Sequence, residues 1–293
     1  MNTRILAPLL WLAAAGVGAD FGIAPVLAEG GKLWATGGAT NLEGTAGGGI
    51  TPWAVIGSYA EEGQWGANAF ATRVWLPDYR LDVAGVSAAY GNRVEFSYAR
   101  QRFDLGSLVH KASLPENSLS QDVLGAKLKL FGDLIYGDIP QVSLGLEYKH
   151  QRDFLIPQLV GARRDHDVEG YIAASRVILG GFFGYNLLLN GDLRYSRANE
   201  MGLLGFGGDR RDRRSWLKEG SMAVLLNPHW AVGMEYREKP DNLSFAGESD
   251  WADVFVGWFP TKHVSVVLAY ARLGEIATLQ DQNGTYLSLT GSF

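Results

Sequence analysis

The sequence predicts an all-β protein, a transmembrane antiparallel up-and-down β-barrel of about fourteen strands that follows a cleaved signal peptide. Three observations predict this fold. Apolar and polar residues alternate along the chain, tyrosines recur at one height on alternate strands, and short connections alternate with long ones. A barrel of about twelve strands is the alternative, if the first two candidate strands do not cross the membrane.

Composition narrows the class of protein. The chain has 38 glycines, 12% aromatic residues and 47% hydrophobic residues, and this hydrophobic content is too high for a disordered chain. Cysteine is absent, which excludes a disulfide scaffold, thiolate metal sites and cysteine nucleophiles. The net charge of -5 gives no reason to expect a nucleic-acid partner.

The first segment, residues 1–28, is interpreted as a secretory signal peptide. Arg4 supplies the positive start, an apolar run follows over residues 5–17, and Ala28 ends a small-residue cleavage site. A membrane anchor is the alternative, but the apolar run is shorter than the ~20 residues that a spanning helix needs. Residues 29–293 are then one exported barrel domain.

A period of two residues predicts the strands of this barrel. Residues 94–98, 142–148 and 230–236 each alternate between apolar and polar side chains. Candidate strands lie near residues 31–37, 50–60, 65–76, 79–90, 93–104, 121–131, 141–152, 167–178, 184–197, 214–226, 229–239, 250–259, 263–273 and 284–293.

Five of these strands carry a tyrosine at the end of their apolar face. The five are Tyr98, Tyr148, Tyr195, Tyr236 and Tyr270. An amphipathic ring suits the interface between hydrocarbon and headgroups, whereas a soluble β-sandwich, the alternative fold, has no reason to place tyrosines at one height. The sequence therefore predicts an outer girdle of tyrosines. The opposite girdle is expected to contain Trp65, Trp230, Trp258 and Phe293.

Connection lengths give an independent indication of topology. Short connections lie near residues 61–64, 91–92, 179–183, 227–228 and 260–262, with 132–140 intermediate. Long ones lie near residues 105–120, 153–166, 198–213, 240–249 and 274–283. Outer-membrane barrels have short periplasmic turns and long extracellular loops, so both ends of the barrel chain are predicted to be periplasmic. Pro77 and Asp78 form the one tight connection on the long-loop side.

The face opposite the tyrosines is predicted to line the lumen. The candidate lumen-lining residues are Glu95, Gln101, Lys127, Lys129, Glu147, Lys149, Asn190, Asp192, Arg194, Glu219, Glu235, Arg237 and Asp253. Both signs of charge are present, so no ion selectivity is predicted. Two segments are candidates to close the lumen: the Gly-rich residues 37–49, and the loop 201–214, whose arginines at 210–214 could instead bind lipopolysaccharide phosphates or simply be solvated.

Several stretches resemble an uncharacterised family of bacterial outer-membrane proteins, a domain of unknown function. They are residues 43–57, 97–104, 202–209, 235–243 and 258–265. The resemblance covers essentially the whole exported chain. It implies an outer-membrane location and brings no substrate or catalytic residue with it.

The last strand alternates and ends in Phe293, which resembles the signal by which outer-membrane barrels are recognised by their assembly machinery. Two motifs are candidate enzyme sites. His263 and Ser265 have the His-x-Ser spacing of barrel lipid hydrolases but are expected at the periplasmic end, facing inward. Residues 165–167 (Asp-His-Asp) point to alternating faces and are interpreted as a polar loop.

The sequence therefore predicts a passive, porin-like channel for small polar solutes in the bacterial outer membrane, with no cofactor and no enzymatic activity. A closed structural or surface-interaction barrel is the alternative, and a barrel enzyme is less favoured. The expected partners are membrane lipid, lipopolysaccharide and the barrel assembly machinery.

Overall fold

The computed structural model describes residues 39–112 and 114–293 of the chain. Within these residues, twelve strands form one closed antiparallel barrel. Each strand pairs with its neighbours in the chain, and the last strand pairs with the first. The strands are β1 (Trp65–Trp75), β2 (Arg80–Tyr90), β3 (Val94–Asp104), β4 (Ser118–Phe131), β5 (Gln141–Gln151), β6 (His166–Phe182), β7 (Tyr185–Ser196), β8 (Ser215–Asn227), β9 (Trp230–Arg237), β10 (Trp251–Thr261), β11 (Val264–Arg272) and β12 (Asn283–Ser292).

The strand count of about fourteen is thus wrong for the described residues, and the alternative of twelve is confirmed. The candidate strand near 50–60 is buried inside the barrel instead. This segment is apolar without regular alternation and contains Pro52, so its burial could be predicted but its placement in a sheet could not. The candidate strand near 31–37 and the candidate signal peptide lie outside the described residues.

The strands alternate between a buried and an exposed face, as a two-residue period requires. β1 alternates without exception, and its outward residues include the exposed Trp65 and Trp75. On most strands the outward positions are apolar, for example Leu144 and Leu146 on β5. An apolar outward face on a closed barrel matches a lipid-facing surface.

The connections fall into two classes that lie at opposite ends of the barrel. The long-loop end has connections at residues 76–79, 105–117, 152–165, 197–214, 238–250 and 273–282. They contain helices α1 (Gly106–Ala112) and α2 (Leu155–Leu159) and a 3₁₀ turn (Asn199–Gly202). None of the helices in the described ranges is long and apolar enough to cross a membrane.

The other end of the barrel, the short-turn end, has tight connections and local irregularities. The pairings β4–β5, β6–β7, β8–β9 and β10–β11 each shift register near their short turns. Such bulges at a barrel rim increase the local twist and end the pairing. The alternation of connection lengths predicted from the sequence is therefore present in the structure.

Candidate functional site

A buried segment of the chain occupies the barrel lumen. Residues 40–60, here called the plug, precede β1 and are buried throughout. The plug turns back on itself through isolated bridges between Thr40 and Ala46 and between Gly47 and Pro52. Its hydrogen-bond partners lie on strands all around the barrel, from β3 to β12, which places it inside the wall.

Glycines let the plug approach the wall closely. Gly44 has a φ of +93°, and a Cβ there would lie 3.0 Å from the Ala99 Cβ on β3. A Cβ at Gly49 would overlap the Tyr286 hydroxyl on β12. The predicted role of the Gly-rich segment as a lumen closure is therefore seen for residues 40–49.

The first anchor of the plug is Glu43, whose carboxylate enters a cluster of buried cations on the wall. Arg237 donates two hydrogen bonds to Glu43, each of 2.8 Å. Arg194 donates one of 3.1 Å, and Lys149 forms an ion pair with the same carboxylate. Glu43 is fully buried, so these cations replace the water that it would otherwise bind.

The wall balances these three cations with its own acids. Arg194 contacts Glu219 at 2.6 Å and Glu147 at 2.9 Å, and Lys149 pairs with Glu169. The carboxylates of Glu43, Glu147 and Glu169 lie close enough together to resemble a cation site among the described residues. The ammonium of Lys149 contacts all three, so the protein places its own cation where a metal ion would otherwise bind.

The second anchor is the pair Glu95 and Lys127, which are direct neighbours on β3 and β4. Glu95 accepts hydrogen bonds from the backbone N–H groups of Ala46 (3.0 Å) and Gly57 (2.5 Å). Lys127 donates to the carbonyl oxygens of Ala46 (2.9 Å) and Val55 (2.8 Å). Glu95 therefore satisfies backbone N–H groups of the plug, and Lys127 satisfies backbone carbonyl groups of the plug.

The third anchor is Glu235 on β9, on another side of the barrel. Its carboxylate accepts the N–H groups of Gly49 (2.5 Å) and Ile50 (2.9 Å) and the Thr51 hydroxyl (2.6 Å). The neighbouring Ser221 hydroxyl lies 2.5 Å from that of Thr51. A turn of backbone whose amides point at one carboxylate makes strong, charge-assisted hydrogen bonds.

Polar but uncharged wall residues complete the contact around the apolar end of the plug. The Ala54 carbonyl accepts hydrogen bonds from Gln141 (2.6 Å) and Ser143 (2.5 Å), and the Ala54 N–H donates to Ser175 (2.8 Å). Asn190 donates to the Pro52 carbonyl at 3.1 Å. Strands β5 to β7 therefore satisfy backbone groups that the plug cannot pair internally.

The rest of the lumen is apolar, which the sequence interpretation did not foresee. Plug residues Leu42 and Ile50 pack in one buried cluster with Val74, Phe103 and Trp251 of the wall. The inner wall is thus divided. Strands β5 to β9 supply the charges of the first and third anchors, whereas β1, β2 and β11 face inward without a charged residue.

A loop clamp covers the plug at the long-loop end. Lys239 reaches Glu200 at 2.6 Å and Glu248 at 3.0 Å, and so joins the connection at 197–214 to the one at 238–250. Burial and the adjacent Glu248 raise the pKa of Glu200 to about 8. Glu200 and Met201 have φ values of 44° and 61°, a left-handed backbone that the surrounding packing must stabilise.

The candidate lumen residues are placed as follows. All of them except Lys129 are buried with relative exposures of 0–8%. Most of them contact the plug or one another, whereas Asp253 accepts a hydrogen bond from the Tyr286 hydroxyl at 3.1 Å. Lys129 is half-buried near the short-turn end. The sequence interpretation did not identify Glu43, Glu169 and Ser221. Glu43 could have been found, because it is the single charged residue between 39 and 60.

The candidate outer-girdle tyrosines all lie on the outward face near the long-loop end. Tyr98 is half-buried and the other four are exposed. The Tyr98 hydroxyl donates to Asp122 at 3.0 Å and the Tyr236 hydroxyl to Asp250 at 2.6 Å. Tyr98 and Tyr236 therefore each combine an apolar ring with a hydrogen-bonded hydroxyl, as an interfacial residue requires.

The Arg-rich loop and the two motifs weighed for catalysis have local partners. Arg210 pairs with Asp241 and Arg214 with Asp167, and the loop arginines do not enter the lumen. His263 lies 2.8 Å from the Ser292 carbonyl at the short-turn end. His166 contacts the neighbouring Asp165 at 2.7 Å on the exposed outer surface.

The sequence matches a family model described as "Protein of unknown function (DUF3034)" over residues 36–290. The chain belongs to this family. The resemblance stated from the sequence is therefore confirmed. No curated protein shows significant similarity to the sequence.

Solved structures of β-barrels are similar in fold to this chain. A KdgM porin superposes with a TM-score of 0.50 at 8% identity, covering 77% of this chain and 99% of the porin. The KdgM porin in complex with disordered oligogalacturonate gives 0.50 at 9% identity, with the same coverage. The outer-membrane protein Omp33 of Acinetobacter baumannii gives 0.47 at 9% identity, covering 78% and 98%. At 8–9% identity, the two superpositions with a TM-score of 0.50 show the fold alone, a closed β-barrel like that of the KdgM porin.

Proposed function

We propose that this protein is a porin-type barrel of the bacterial outer membrane that is closed at rest, and that it passes small polar solutes when the plug leaves the lumen. The burial of the charged inner wall against residues 40–60 carries this proposal. In a permanently open aqueous pore, Lys149, Arg194 and Glu147 would be hydrated, yet their relative exposures are 0–1%.

The charges of the wall favour a passage over a purely structural filling. A closed barrel that never opens is served as well by apolar side chains, because replacing a buried ion cluster with packed hydrophobic residues is often neutral or stabilising. Wall charges of both signs are useful if water enters after the plug departs. A twelve-stranded wall is wider than the eight-stranded barrels that side chains alone fill.

The attachment of the plug is suited to reversible docking. Its charged contacts with the wall are concentrated at three anchors, and each anchor group on the wall regains water as a partner on release. A strand of the wall could not leave in this way, because its ladder hydrogen bonds would be left open in lipid.

A closed structural or surface-interaction barrel is the second candidate function. The ion pairs that join wall residue to wall residue favour it. Arg194 on β7 contacts Glu147 on β5 and Glu219 on β8, so it cross-links the wall whether or not the plug is present.

Outer-membrane location and the expected partners belong to the same proposal. The porin-type fold, the apolar outward face and the girdle residues support insertion in the outer membrane. Phe293 follows β12, the strand that closes the barrel on β1, and pairs with Ala67 through hydrogen bonds of 2.8 and 2.9 Å. We propose it as the contact for the assembly machinery.

Conductance in planar bilayers tests the gating proposal. The chain has no cysteine, so Thr51→Cys/Ser221→Cys would introduce the only thiols, at hydroxyls 2.5 Å apart. We expect the disulfide-locked variant to remain silent and Glu95→Gln/Glu235→Gln to give stable conductance steps. Steps of the same size in the locked variant would contradict the plug as the gate. Silence in every variant, with correct barrel folding, would support the structural barrel.

A further inference from the structure

A shallow groove on the outward face of the barrel lies apart from the lumen and the plug. It crosses β12, β1, β2 and β3 and has a volume of about 730 Å³. Its floor is low because the outward residues there are Ala71 and Ala84, and Leu287 and Leu289 form its apolar side. The groove is therefore a depression in the lipid-facing surface with space for a hydrocarbon chain.

Arginines border the groove at the end nearer the long loops. Arg73, Arg100 and Arg102 all line it. Arg100 lies one outward position beyond Tyr98 on β3, so the arginines stand just outside the tyrosine girdle. This is the height at which lipid headgroups are expected.

Two of these arginines have donor capacity to spare. The guanidinium of Arg102 makes no hydrogen bond or ion pair with any residue that the structure describes. Arg100 approaches Asp122 only to 3.9 Å, and that carboxylate already accepts from Arg152 at 2.6 Å and from the Tyr98 hydroxyl. A guanidinium with free N–H groups is a strong bidentate partner for a phosphate.

The surrounding surface has the same sign of charge. The outward surface of β1 to β5 between the level of Tyr98 and the long-loop end, together with the residue after β5, contains five arginines and three aspartates. These residues are Arg73, Arg80, Arg100, Arg102 and Arg152 with Asp82, Asp104 and Asp122. The excess of positive charge attracts an anionic occupant.

We infer that this groove binds a phosphorylated lipid of the surrounding leaflet, with a phosphate on Arg100 and Arg102 and an acyl chain along Ala71, Ala84 and Leu287. The inference rests on the membrane location given in the proposed function, and it does not depend on gating by the plug. It also differs from the lipopolysaccharide contact considered for residues 210–214, which lie on a separate loop.

The alternative occupant of this flat surface of small residues is a second copy of the chain. Two copies related by a two-fold axis bring the same patch together, so the arginines would face each other across the contact. The positive excess opposes that arrangement and favours an anionic lipid.

Native mass spectrometry of the full exported chain released from lipid nanodiscs tests the inference. The probes are lipid A with two phosphates and the same lipid A with both phosphates removed. We expect one phosphorylated lipid to be retained. We also expect Arg100→Gln/Arg102→Gln to weaken retention at least about tenfold, since it removes two charge-assisted contacts.

Arg163→Gln/Arg272→Gln is the matched control, because both residues are exposed arginines outside the groove and outside the Arg-rich segment 210–214. It should retain the lipid as the unchanged chain does. Equal retention of the dephosphorylated lipid, equal losses in the two double variants, or a lipid-free dimer would overturn the inference. Lipid retention by a barrel that never conducts would leave the inference intact and contradict only the gating proposal.

Discussion

Removal of the third anchor should loosen the plug by a predictable amount. Glu235→Ala deletes the acceptor of two buried amides, those of Gly49 and Ile50. Each unsatisfied buried N–H costs about 1–3 kcal/mol, so the loss is about 4 kcal/mol. That energy raises the undocked fraction of the plug roughly a thousandfold.

The isosteric change Glu235→Gln should have a smaller effect. Its amide oxygen can still face both N–H groups, and its NH₂ can turn to the hydroxyls of Thr51 and Ser221. The loss is then mainly the charge assistance of two hydrogen bonds, about 2 kcal/mol, or roughly thirtyfold in the undocked fraction.

Thiol labelling measures this fraction directly. A Val55→Cys reporter lies buried in the plug of an otherwise cysteine-free chain, so a membrane-impermeant maleimide reacts only when the plug undocks. Thr72→Val is the control, because the Thr72 hydroxyl donates to Ser288 within the wall and has no hydrogen bond to the plug among the described residues. Labelling rates that rank Ala above Gln above control are expected. Equal rates in all three would refute the anchor.

Three further predictions follow from other parts of the structure. Gly49→Ala should expose the plug to labelling because its Cβ overlaps Tyr286, whereas Gly191→Ala, with open space around it, should not. The pKa of Glu200 is about 8 in the folded protein, compared with 4.5 for an ordinary glutamate. The protonated carboxyl therefore stabilises the loop clamp fully below pH 4.5, and this stabilisation is lost as the pH rises towards 8. Hydrogen exchange of the loop should show the loss, and Glu200→Gln should remove the pH dependence. Phe293→Ala keeps the backbone pairing with β1 but removes the aromatic ring, so lower outer-membrane levels are expected, and unchanged levels would contradict an assembly signal.

The wall of the barrel was predictable because the strands of a closed barrel alternate between an inward and an outward face with a two-residue period. The outward Tyr98 and the inward Glu95 follow from position alone, since neighbouring residues point to opposite faces. The connection lengths then predicted which end of the barrel has the long loops and which has the short turns. These signals are local in the sequence, and each is repeated on several strands.

The plug was only partly predictable because its structure depends on distant contacts. Gly48 and Gly49 indicated a close approach, but the partners that they approach, Glu235 and Tyr286, lie far away in the chain. Residues 50–60 are apolar and were assigned to a strand, because periodicity does not distinguish a segment buried in a lumen from one buried in a sheet. Glu43 has no local pattern that links it to Arg194 or Arg237.

The most direct test of the central claim is the conductance of a chain that lacks residues 40–60. After heat-modifiable migration has shown that the barrel folds, the deletion variant should give large, stable steps in a planar bilayer, and the intact chain should be silent or open only briefly. A folded deletion variant that stays silent, or an intact chain that conducts in equal steps, would contradict closure of the lumen by the plug.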